Sequence, residues 1–454
     1  MQQSFGLWQK LSICAFLVAS VLPAQVPASG PTFKLLQTFK TEGDAWALVE
    51  VQPGRFFGYV SISPGIFSIT SSGNYQYFYG FPLQTGLGVL GLTPALNGQV
   101  YGSAANLGVT LTFSELFSVA PNDKVSTYPY NPNTQGTPFD QIQSPYGLYG
   151  FVGFPSPGSL TFDRFDYKGN PTLLYTFPAG VGYIGGVPFL GLDGAFYGLM
   201  LMNNTTNAGI FRLTASGAFS WVVPSFPTGG VNNGISLIQA SNGNFYGVLP
   251  SGGSAAAGSI YEVTPSGQMK TLYQFPYINF GIPETLMQAS DGMIYGTARG
   301  RWATGFNGYS SIFQLNPSTG QVKTVYGFPN GGVTGECECW IIQGSDGKLY
   351  GTAVGEGTYQ LGTIFSLDLG LPPPKPHIGL FEPASEAVGK WVLLWGSNLL
   401  GATAVSFNGT PATKFAVASS QGVFAEVPSG ATSGPITITT PNGASTSKQS
   451  FTVQ

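Results

Sequence analysis

The sequence predicts an all-β protein: a seven-bladed β-propeller closed by its own N-terminal strand, followed by a small β-sandwich. Three observations lead to this fold class. An eight-residue segment recurs along the chain, its copies are about 48 residues apart, and the residues between them show short strand patterns without an amphipathic helix.

The recurring segment reads DGKLYGTA at 346–353, and its relatives include DGMIYGTA at 291–298 and NGNFYGVL at 242–249. A period of this length is typical of a solenoid, a propeller or an array. Seven copies are recognised by the glycine after the aromatic residue: Gly58, Gly102, Gly150, Gly198, Gly247, Gly296 and Gly351.

One period contains four strand patterns, which in the sixth copy are residues 284–290, 293–299, 311–317 and 322–328. Each pattern is rich in β-branched and aromatic residues and is bounded by turn residues. Asp291-Gly292 joins the first two strands and predicts a type I′ hairpin turn. Four short strands per period are typical of one propeller blade.

The two ends of the repeat region complete each other. The seventh copy supplies three strand patterns, and the missing fourth pattern is found at residues 33–39, before the first copy. We therefore expect residues 33–39 to pair with residues 362–368, which closes the ring without a free sheet edge.

The recurring Asp and Tyr residues are interpreted as architecture. Asp193, Asp291 and Asp346 alternate with Asn97 and Asn242 at the same position, which suits a turn and does not suit a catalytic carboxylate. The aromatic position is expected to pack between blades, with ligand stacking as the alternative. It is occupied by Phe57, Tyr101, Tyr149, Tyr197, Tyr246, Tyr295 and Tyr350.

The predicted organisation is a signal peptide at 1–28, the propeller at 30–370, a proline-rich linker at 371–376 and a second domain at 377–454. The last region contains VGKWVLLWGSNL, GATAVSFNGTPAT and VPSGATSGPITITTPNG, and it resembles an IPT/TIG immunoglobulin-like domain. The resemblance implies an Ig-like sandwich.

The segments LYGTA, GTIFSLD and SIYEVTPSG resemble the GloVer-type tandem repeats of bacterial exported proteins. The resemblance is clearest in the last three copies and implies a location outside the cytoplasm. It supplies no catalytic residues.

Composition narrows the possible partners. Charged residues make up 8% of the chain and the net charge is −3, so nucleic acid is not an expected partner. The apolar run LSICAFLVASVL is followed by small residues, as in a secretory signal, and it is shorter than a membrane span. We expect a secreted, cell-surface or periplasmic monomer with no transmembrane segment in the mature chain.

Few residues suit catalysis or metal binding. His377 is the single histidine, which excludes Ser-His-Asp, Cys-His and histidine-metal sites, and no cofactor motif is present. After removal of the signal, Cys337 and Cys339 remain. They are interpreted as a local disulfide, with free thiols, metal binding or pairing with a partner as alternatives.

The variable loops are expected to share one face of the propeller with the blade-to-blade crossovers, because in a four-stranded blade these connections lie opposite the short hairpins. Aromatic and charged residues in such loops suit the binding of a sugar or a protein, although covering the crossovers is an equal alternative. The candidate binding rim is Arg299, Arg301, Trp302, Tyr309, Glu336, Trp340, Glu356 and Tyr359.

The function predicted from the sequence is an exported, non-catalytic binding or adhesion protein for an extracellular glycan or surface protein, without a cofactor. The first alternative is a polysaccharide-active hydrolase or lyase that uses carboxylates in the propeller mouth. The second is a structural role in the cell envelope.

Overall fold

The computed structural model describes residues 30–61, 63–82, 87–106, 114–131, 134–153, 159–178, 181–203, 205–228, 236–250, 258–276, 282–299, 302–303, 306–307, 310–328, 340–353 and 361–454. The predicted signal peptide lies outside these residues, as do Cys337 and Cys339. Across the described ranges the chain is all-β, and they include no helix long and apolar enough to cross a membrane.

The repeat region consists of short strands. In chain order they are β1 (Thr32–Thr38), β2 (Ala45–Gln52), β3 (Arg55–Val60), β4 (Gly65–Thr70), β5 (Tyr75–Gly80), β6 (Leu87–Pro94), β7 (Val100–Asn106), β8 (Ser114–Val119), β9 (Val125–Tyr130), β10 (Thr137–Ser144), β11 (Gly147–Gly153), β12 (Leu160–Phe165), β13 (Pro171–Thr176), β14 (Tyr183–Leu190), β15 (Phe196–Leu201), β16 (Asn207–Leu213), β17 (Phe219–Pro227), β18 (Leu237–Gln239), β19 (Phe245–Leu249), β20 (Ser259–Val263), β21 (Met269–Gln274), β22 (Ile282–Gln288), β23 (Ile294–Arg299), β24 (Trp302–Ala303), β25 (Phe306–Asn307), β26 (Ser311–Leu315), β27 (Val322–Gly327), β28 (Trp340–Gln343), β29 (Leu349–Ala353) and β30 (Thr363–Asp368).

In the described part of this region the strands form seven four-stranded antiparallel sheets and one small hairpin, β24–β25. Sheets 1 to 5 are β2–β5, β6–β9, β10–β13, β14–β17 and β18–β21; sheet 6 is β22, β23, β26 and β27; sheet 7 is β28, β29, β30 and β1. The first strands of successive sheets contact each other in order, and β28 of sheet 7 contacts β2 of sheet 1. The sheets therefore stand side by side in a cycle, with their first strands innermost.

Strand β1 is the fourth strand of sheet 7, as the sequence predicts. It pairs antiparallel with β30 from Thr32 opposite Asp368 to Thr38 opposite Thr363. Phe33 on β1 stacks on Tyr326 of sheet 6, with 5.1 Å between ring centroids. The beginning of the repeat region is thereby held to its end by both a backbone ladder and apolar packing.

A glycine on the second strand lies against an aromatic ring on the third strand in six of the seven sheets. A Cβ atom on these glycines would come within 2.2 to 2.6 Å of a ring atom, which leaves room only for hydrogen. The pairs are Gly58 with Phe67, Gly102 with Phe117, Gly198 with Phe211, Gly247 with Tyr261, Gly296 with Phe313 and Gly351 with Phe365.

The aromatic residue before that glycine packs between sheets, as predicted. All seven of these side chains are at most 6% exposed. Tyr350 of sheet 7 lies 4.4 Å from the ring of Phe56 in sheet 1, and Tyr149 lies 4.7 Å from Phe196 in the next sheet. Each sheet therefore uses this ring to contact its neighbour.

The tyrosine hydroxyl also explains why the turn position is Asp in some copies of the repeat and Asn in others. Tyr295 donates a hydrogen bond to Asp291 at 2.9 Å, whereas Asn242 donates its amide hydrogen to the hydroxyl of Tyr246 at 2.8 Å. A hydroxyl both donates and accepts, so either turn residue satisfies it.

The Asp-Gly turn is not the predicted type I′ turn. Gly292 donates to the carbonyl of Ala289 at 2.9 Å, which makes Ser290 and Asp291 the central residues. The positive φ, +80°, belongs to Gly292, after the central pair. This is a three-residue loop with a left-handed glycine at its end. The prediction was wrong because it counted two loop residues where the hairpin has three.

A glutamine at the end of the first strand links each of several sheets to the preceding one. The side-chain oxygen of Gln288 accepts from the backbone N–H of Ser241 in the preceding hairpin at 2.8 Å, and its amide donates to Gly292 O at 3.0 Å. Where sheet 7 meets sheet 1, Glu50 takes this place and accepts from the N–H of Ser345 at 2.8 Å. The other described examples are Gln143 with Leu96, Gln239 with Leu192 and Gln343 with Ser290.

The C-terminal region forms two further sheets around a separate apolar core. Its strands are β31 (His377–Glu382), β32 (Ser385–Glu386), β33 (Trp391–Ser397), β34 (Ala404–Phe407), β35 (Thr410–Pro411), β36 (Phe415–Val417), β37 (Gly422–Glu426), β38 (Gly434–Thr440) and β39 (Gly443–Val453). One sheet has the order β31-β33-β37-β36 and the other β32-β39-β38-β34-β35. Side chains such as Leu394, Ile436 and Phe451 fill the core.

We predict that Gly296→Ala lowers the free energy of unfolding by about 2 kcal/mol, because the new methyl group would overpack against Phe313 and a backbone carbonyl. Gly150→Ala is the matched control, since its nearest neighbour would be Phe165 at 3.1 Å. Its loss should stay within about 1 kcal/mol, helped by a less flexible unfolded chain. Urea unfolding followed by tryptophan fluorescence measures both, and equal losses would contradict the packing argument.

Candidate functional site

The sheets have two unlike edges. The short hairpins between first and second strands and between third and fourth strands lie at one edge, which we term the hairpin face. The connections between second and third strands and between successive sheets lie at the other, which we term the loop face. This arrangement follows from the up-and-down strand order of each sheet.

The hairpin face is covered in part by the C-terminal region. Asn442 donates to the carbonyl of Ser345 in the sheet 7 hairpin at 2.7 Å. The linker is attached as well, because Gln343 donates to the carbonyl of Pro372 at 3.3 Å. A cavity of about 200 Å³ remains between the two units beside Glu50. Burial raises the pKa of Glu50, against the lowering effect of hydrogen bonds from Gly54 and Ser345.

The structure describes part of the predicted binding rim. Arg299 ends β23 and forms an ion pair with the buried Glu284, with 2.9 Å between Nε and Oε1. Trp302 is the first residue of the two-residue strand β24. Trp340 begins β28 and is 37% exposed. The remaining five, Arg301, Tyr309, Glu336, Glu356 and Tyr359, lie outside the described residues.

Exposed aromatic residues begin two of the innermost strands at the loop face. Trp340 is the first residue of β28, and Tyr183, which is 46% exposed, is the first residue of β14. Tyr183 was not among the predicted rim residues, because the sequence does not show which strand of a repeat is innermost.

Asp140 lies in a bulge of β10, the innermost strand of sheet 3. The register skips from Phe139 to Ile142, and Asp140 has a φ of +49°. Gly91 and Gly186 take positive φ in the corresponding bulges of sheets 2 and 4. An Asp tolerates this backbone conformation better than most residues with a side chain, and bulges often re-aim a side chain beside a site.

Burial raises the pKa of Asp140 to about 7, although its side chain is only half-buried by the surrounding atoms. Within the described residues, no positive charge or hydrogen bond counteracts this effect. Tyr59 of sheet 1 is close enough for the charge of Asp140 to add to the effect of burial in raising the tyrosine pKa. A carboxyl with a pKa near neutrality suits proton transfer.

Glu115 on β8 is a second buried carboxyl in the same part of the fold. It is 6% exposed, and its Oε1 atom has no hydrogen-bond partner. Burial raises its pKa to about 7. The equivalent residue in the other sheets is small: Gly65, Thr161, Gly209, Ser259, Ser311 and Thr363.

Asp163 on β12 is the third buried carboxyl in this part of the fold. It is 5% exposed and accepts a hydrogen bond from Thr161 at 2.5 Å. Burial raises its pKa, and the Thr161 hydroxyl partly offsets this. The three acidic residues therefore all lie in sheets 2 and 3. No group of three or more His, Cys, Asp or Glu residues suited to a metal occurs in the described ranges.

Comparisons with known proteins agree with the repeat architecture. Residues 184–371 match the Gloeobacter/Verrucomicrobia repeat. This match spans sheets 4 to 7 and supports a repeat protein of the GloVer type. Sheets 1 to 3, which hold the three buried acidic residues, precede the matched range. No curated protein matches the chain.

Two solved structures are similar in fold. The structure of a streptogramin B lyase has a TM-score of 0.54 and 16% identity, covering 75% of this chain and 98% of its own. A catalytically inactive virginiamycin B lyase from Staphylococcus aureus with quinupristin has a TM-score of 0.54 and 15% identity, covering 74% and 99%. At these identities the similarity shows a propeller-like fold alone.

We predict that stability falls as the pH rises from about 4 to about 7. Asp140 and Glu115 have folded pKa values of about 7, above the values near 4 of an unfolded chain. Between these pH values the folded state binds more protons than the unfolded state, so raising the pH favours unfolding. Asp140→Asn and Glu115→Gln remove the charge and should each flatten this decline.

Unfolding midpoints measured on both sides of this pH interval test the prediction. Asn accepts a positive φ as readily as Asp, so the backbone at position 140 is preserved. Asp291→Asn is the control, because Asn occupies that turn position in two other copies. An undiminished pH dependence in both variants would exclude these carboxyls as its source.

Proposed function

We propose that the chain is an exported bacterial binding protein built as a closed seven-bladed propeller with a C-terminal Ig-like domain of the IPT/TIG type. The seven sheets and the cyclic contacts of their first strands support the blade number. The two-sheet C-terminal unit supports the Ig-like assignment. Export rests on the signal-like N-terminus and on the resemblance to exported repeat proteins.

The binding surface is the loop face around the innermost strands. The single observation that carries this proposal is the exposure of Trp340 and Tyr183 at the first residues of two innermost strands. Flat aromatic faces stack on sugar rings and on apolar parts of proteins, while their polar atoms remain hydrated. The C-terminal domain occupies part of the opposite, hairpin face, and thus leaves the loop face accessible.

The proposed ligand is an extracellular glycan, with a surface protein as the other possible ligand. The chain has few charged residues, and two exposed aromatic side chains lie at this face, which favours a ligand recognised by stacking and neutral hydrogen bonds. The buried acidic residues of sheets 2 and 3 would then contribute polarity and not a strong surface charge.

We predict that Trp340→Ala and Tyr183→Ala each weaken glycan binding about tenfold or more, since truncation of an aromatic anchor in a binding site commonly costs over 1 kcal/mol. Trp391→Ala is the matched control, because Trp391 is 45% exposed but belongs to the C-terminal unit. A glycan array identifies the ligand, and calorimetry with that glycan compares the variants. Equal binding by all four proteins would place the site elsewhere.

A polysaccharide-active hydrolase or lyase is the second candidate function. The specific observation in its favour is Asp140, a carboxyl with a pKa of about 7 at a bulge of an innermost strand. Such a group could transfer a proton at neutral pH. If this function is correct, the protein turns over a glycan from the panel, and Asp140→Asn lowers turnover by about a hundredfold or more, the usual contribution of a general acid or base.

The same assay separates the two functions. Binding without turnover supports the binding protein, and turnover that is unchanged in Asp140→Asn removes Asp140 as the acid or base. Glu336 and Glu356 of the predicted rim, together with Glu338 two residues after Glu336, are then the next carboxylates to substitute.

A further inference from the structure

The interface between sheets 2 and 3 lacks an aromatic pair that the other interfaces contain. Elsewhere, the third-strand ring that lies on the Tyr-Gly glycine contacts an aromatic ring just after the fourth strand of the preceding sheet. Examples are Phe313 with Phe275, at 5.4 Å between centroids, and Phe117 with Phe81, at 5.2 Å. These contacts seal the space between neighbouring sheets.

Both members of the pair are polar between sheets 2 and 3. Asp163 pairs with Gly150 and thus occupies the position of the third-strand ring. Tyr130 ends β9 at the position of the preceding aromatic residue and is 8% exposed; its hydroxyl donates a hydrogen bond to the carbonyl of Gly169, so its oxygen remains available as an acceptor. The charge of Asp163 adds to the effect of burial in raising the pKa of Tyr130, so the two groups are near each other. A residue with a polar group therefore stands at both positions of this interface.

The smaller Asp163 side chain leaves space beside Gly150. A Cβ atom on Gly150 would meet Phe165 at 3.1 Å, whereas the same atom in the other six sheets would overlap a ring. A carboxyl group fills less of this space than a phenyl ring.

Gln141 provides an independent sign of a missing ligand. It is 5% exposed, and neither its amide nitrogen nor its amide oxygen has a hydrogen-bond partner. Its Cα atom lies 3.6 Å from the position of a Cβ on Gly150. Gln143, two residues further along the strand, contacts Leu96 of sheet 2, so Gln141 faces the same interface. An unpaired buried amide is costly; a bound cation would satisfy its oxygen, and a water molecule would satisfy its nitrogen.

We propose that Asp163, Thr161, Gln141 and Tyr130 form a buried calcium site between sheets 2 and 3. Calcium takes oxygen ligands from carboxylates, amide carbonyls, hydroxyls and water. Asp163 supplies the single negative charge, and Thr161 and Gln141 supply neutral oxygens. A cation also provides a positive charge for Asp163, on whose pKa no Lys or Arg of the described residues acts.

The expected affinity is low. With one carboxylate and several neutral ligands, the dissociation constant should be about 1 mM, the upper end of the range for extracellular calcium modules. A site of this affinity suits a protein that works outside the cell. It is independent of glycan binding at the loop face.

Isothermal titration with CaCl₂ on the full chain tests the site, with MgCl₂ and NaCl as comparison titrants. The expected result is a calcium-specific component that weakens at least tenfold in Asp163→Asn. Asp163→Phe with Tyr130→Phe restores the aromatic pair of the other interfaces; this variant should fold and lose the component. Asp166→Asn is the control, because Asp166 lies three residues further on in an exposed turn.

Two results would overturn the proposal. One is an unmodified protein without calcium-specific heat at millimolar calcium, which would mean that water alone occupies the interface. The other is calcium binding that survives intact in the folded Asp163→Phe/Tyr130→Phe variant, which would assign the ion to another part of the chain.

Discussion

A hydrogen bond from a hairpin N–H to a Gln or Glu of the next sheet constrains five of the seven junctions between the described sheets. Each four-stranded sheet satisfies its own backbone ladder, and apolar contacts between sheets have no preferred direction. The hydrogen bond from Ser241 to Gln288 is directional and lies at the hairpin edge, so it sets the position of one sheet against the next. The same hydrogen bond occurs where the chain closes, from Ser345 to Glu50.

The hydrogen bond between Ser345 and Glu50, at the junction of sheets 7 and 1, differs from those at the other junctions. A glutamine both accepts from the neighbouring hairpin and donates to its own turn, as Gln288 does with Gly292. Glu50 cannot donate when ionised, and the direction is reversed, because Gly54 donates to it at 2.7 Å. The hydroxyl of Ser345 supplies a further hydrogen bond at 2.7 Å. The carboxylate therefore collects three donors at the junction where the two ends of the repeat region meet.

Much of the fold could be predicted from the sequence, because the signals are local and repeated. The Tyr-Gly pair marks the second strand, and the strand missing from the last copy is found at residues 33–39. The turn type was wrong, because the ladder bonds decide whether Ala289 or Ser290 begins the loop. The glutamine hydrogen bond between sheets was also missed, although its signal is present in the repeated segments QASDG and QASNG.

The candidate site was harder to predict, because its residues become unusual only when strand registers are known. Asp163 resembles an ordinary strand acid until it is aligned with Phe313 and the five other rings. Asp140 becomes distinctive through a bulge that changes which residue opposes Gly150. The loop residues chosen from composition depend on loop conformation, which no periodicity encodes. Trp340 was predicted from its place at the end of a variable segment, and it begins the innermost strand of sheet 7.

Sheets 2 and 3 differ from the other sheets in carrying buried carboxyl groups where the repeat has small or apolar residues. A buried carboxyl without a counter-charge is unfavourable, so its presence requires either a compensating partner or a use for its proton. Sheets 4 to 7 keep the aromatic pair at each interface and form the part that matches the known repeat. Sheets 2 and 3 instead contain Glu115, Asp140 and Asp163, without a loss of strand pairing. The strand ladders and the hydrogen bond from Leu96 to Gln143 are retained there, so these two sheets depart from the repeat in their packing and not in their strand order.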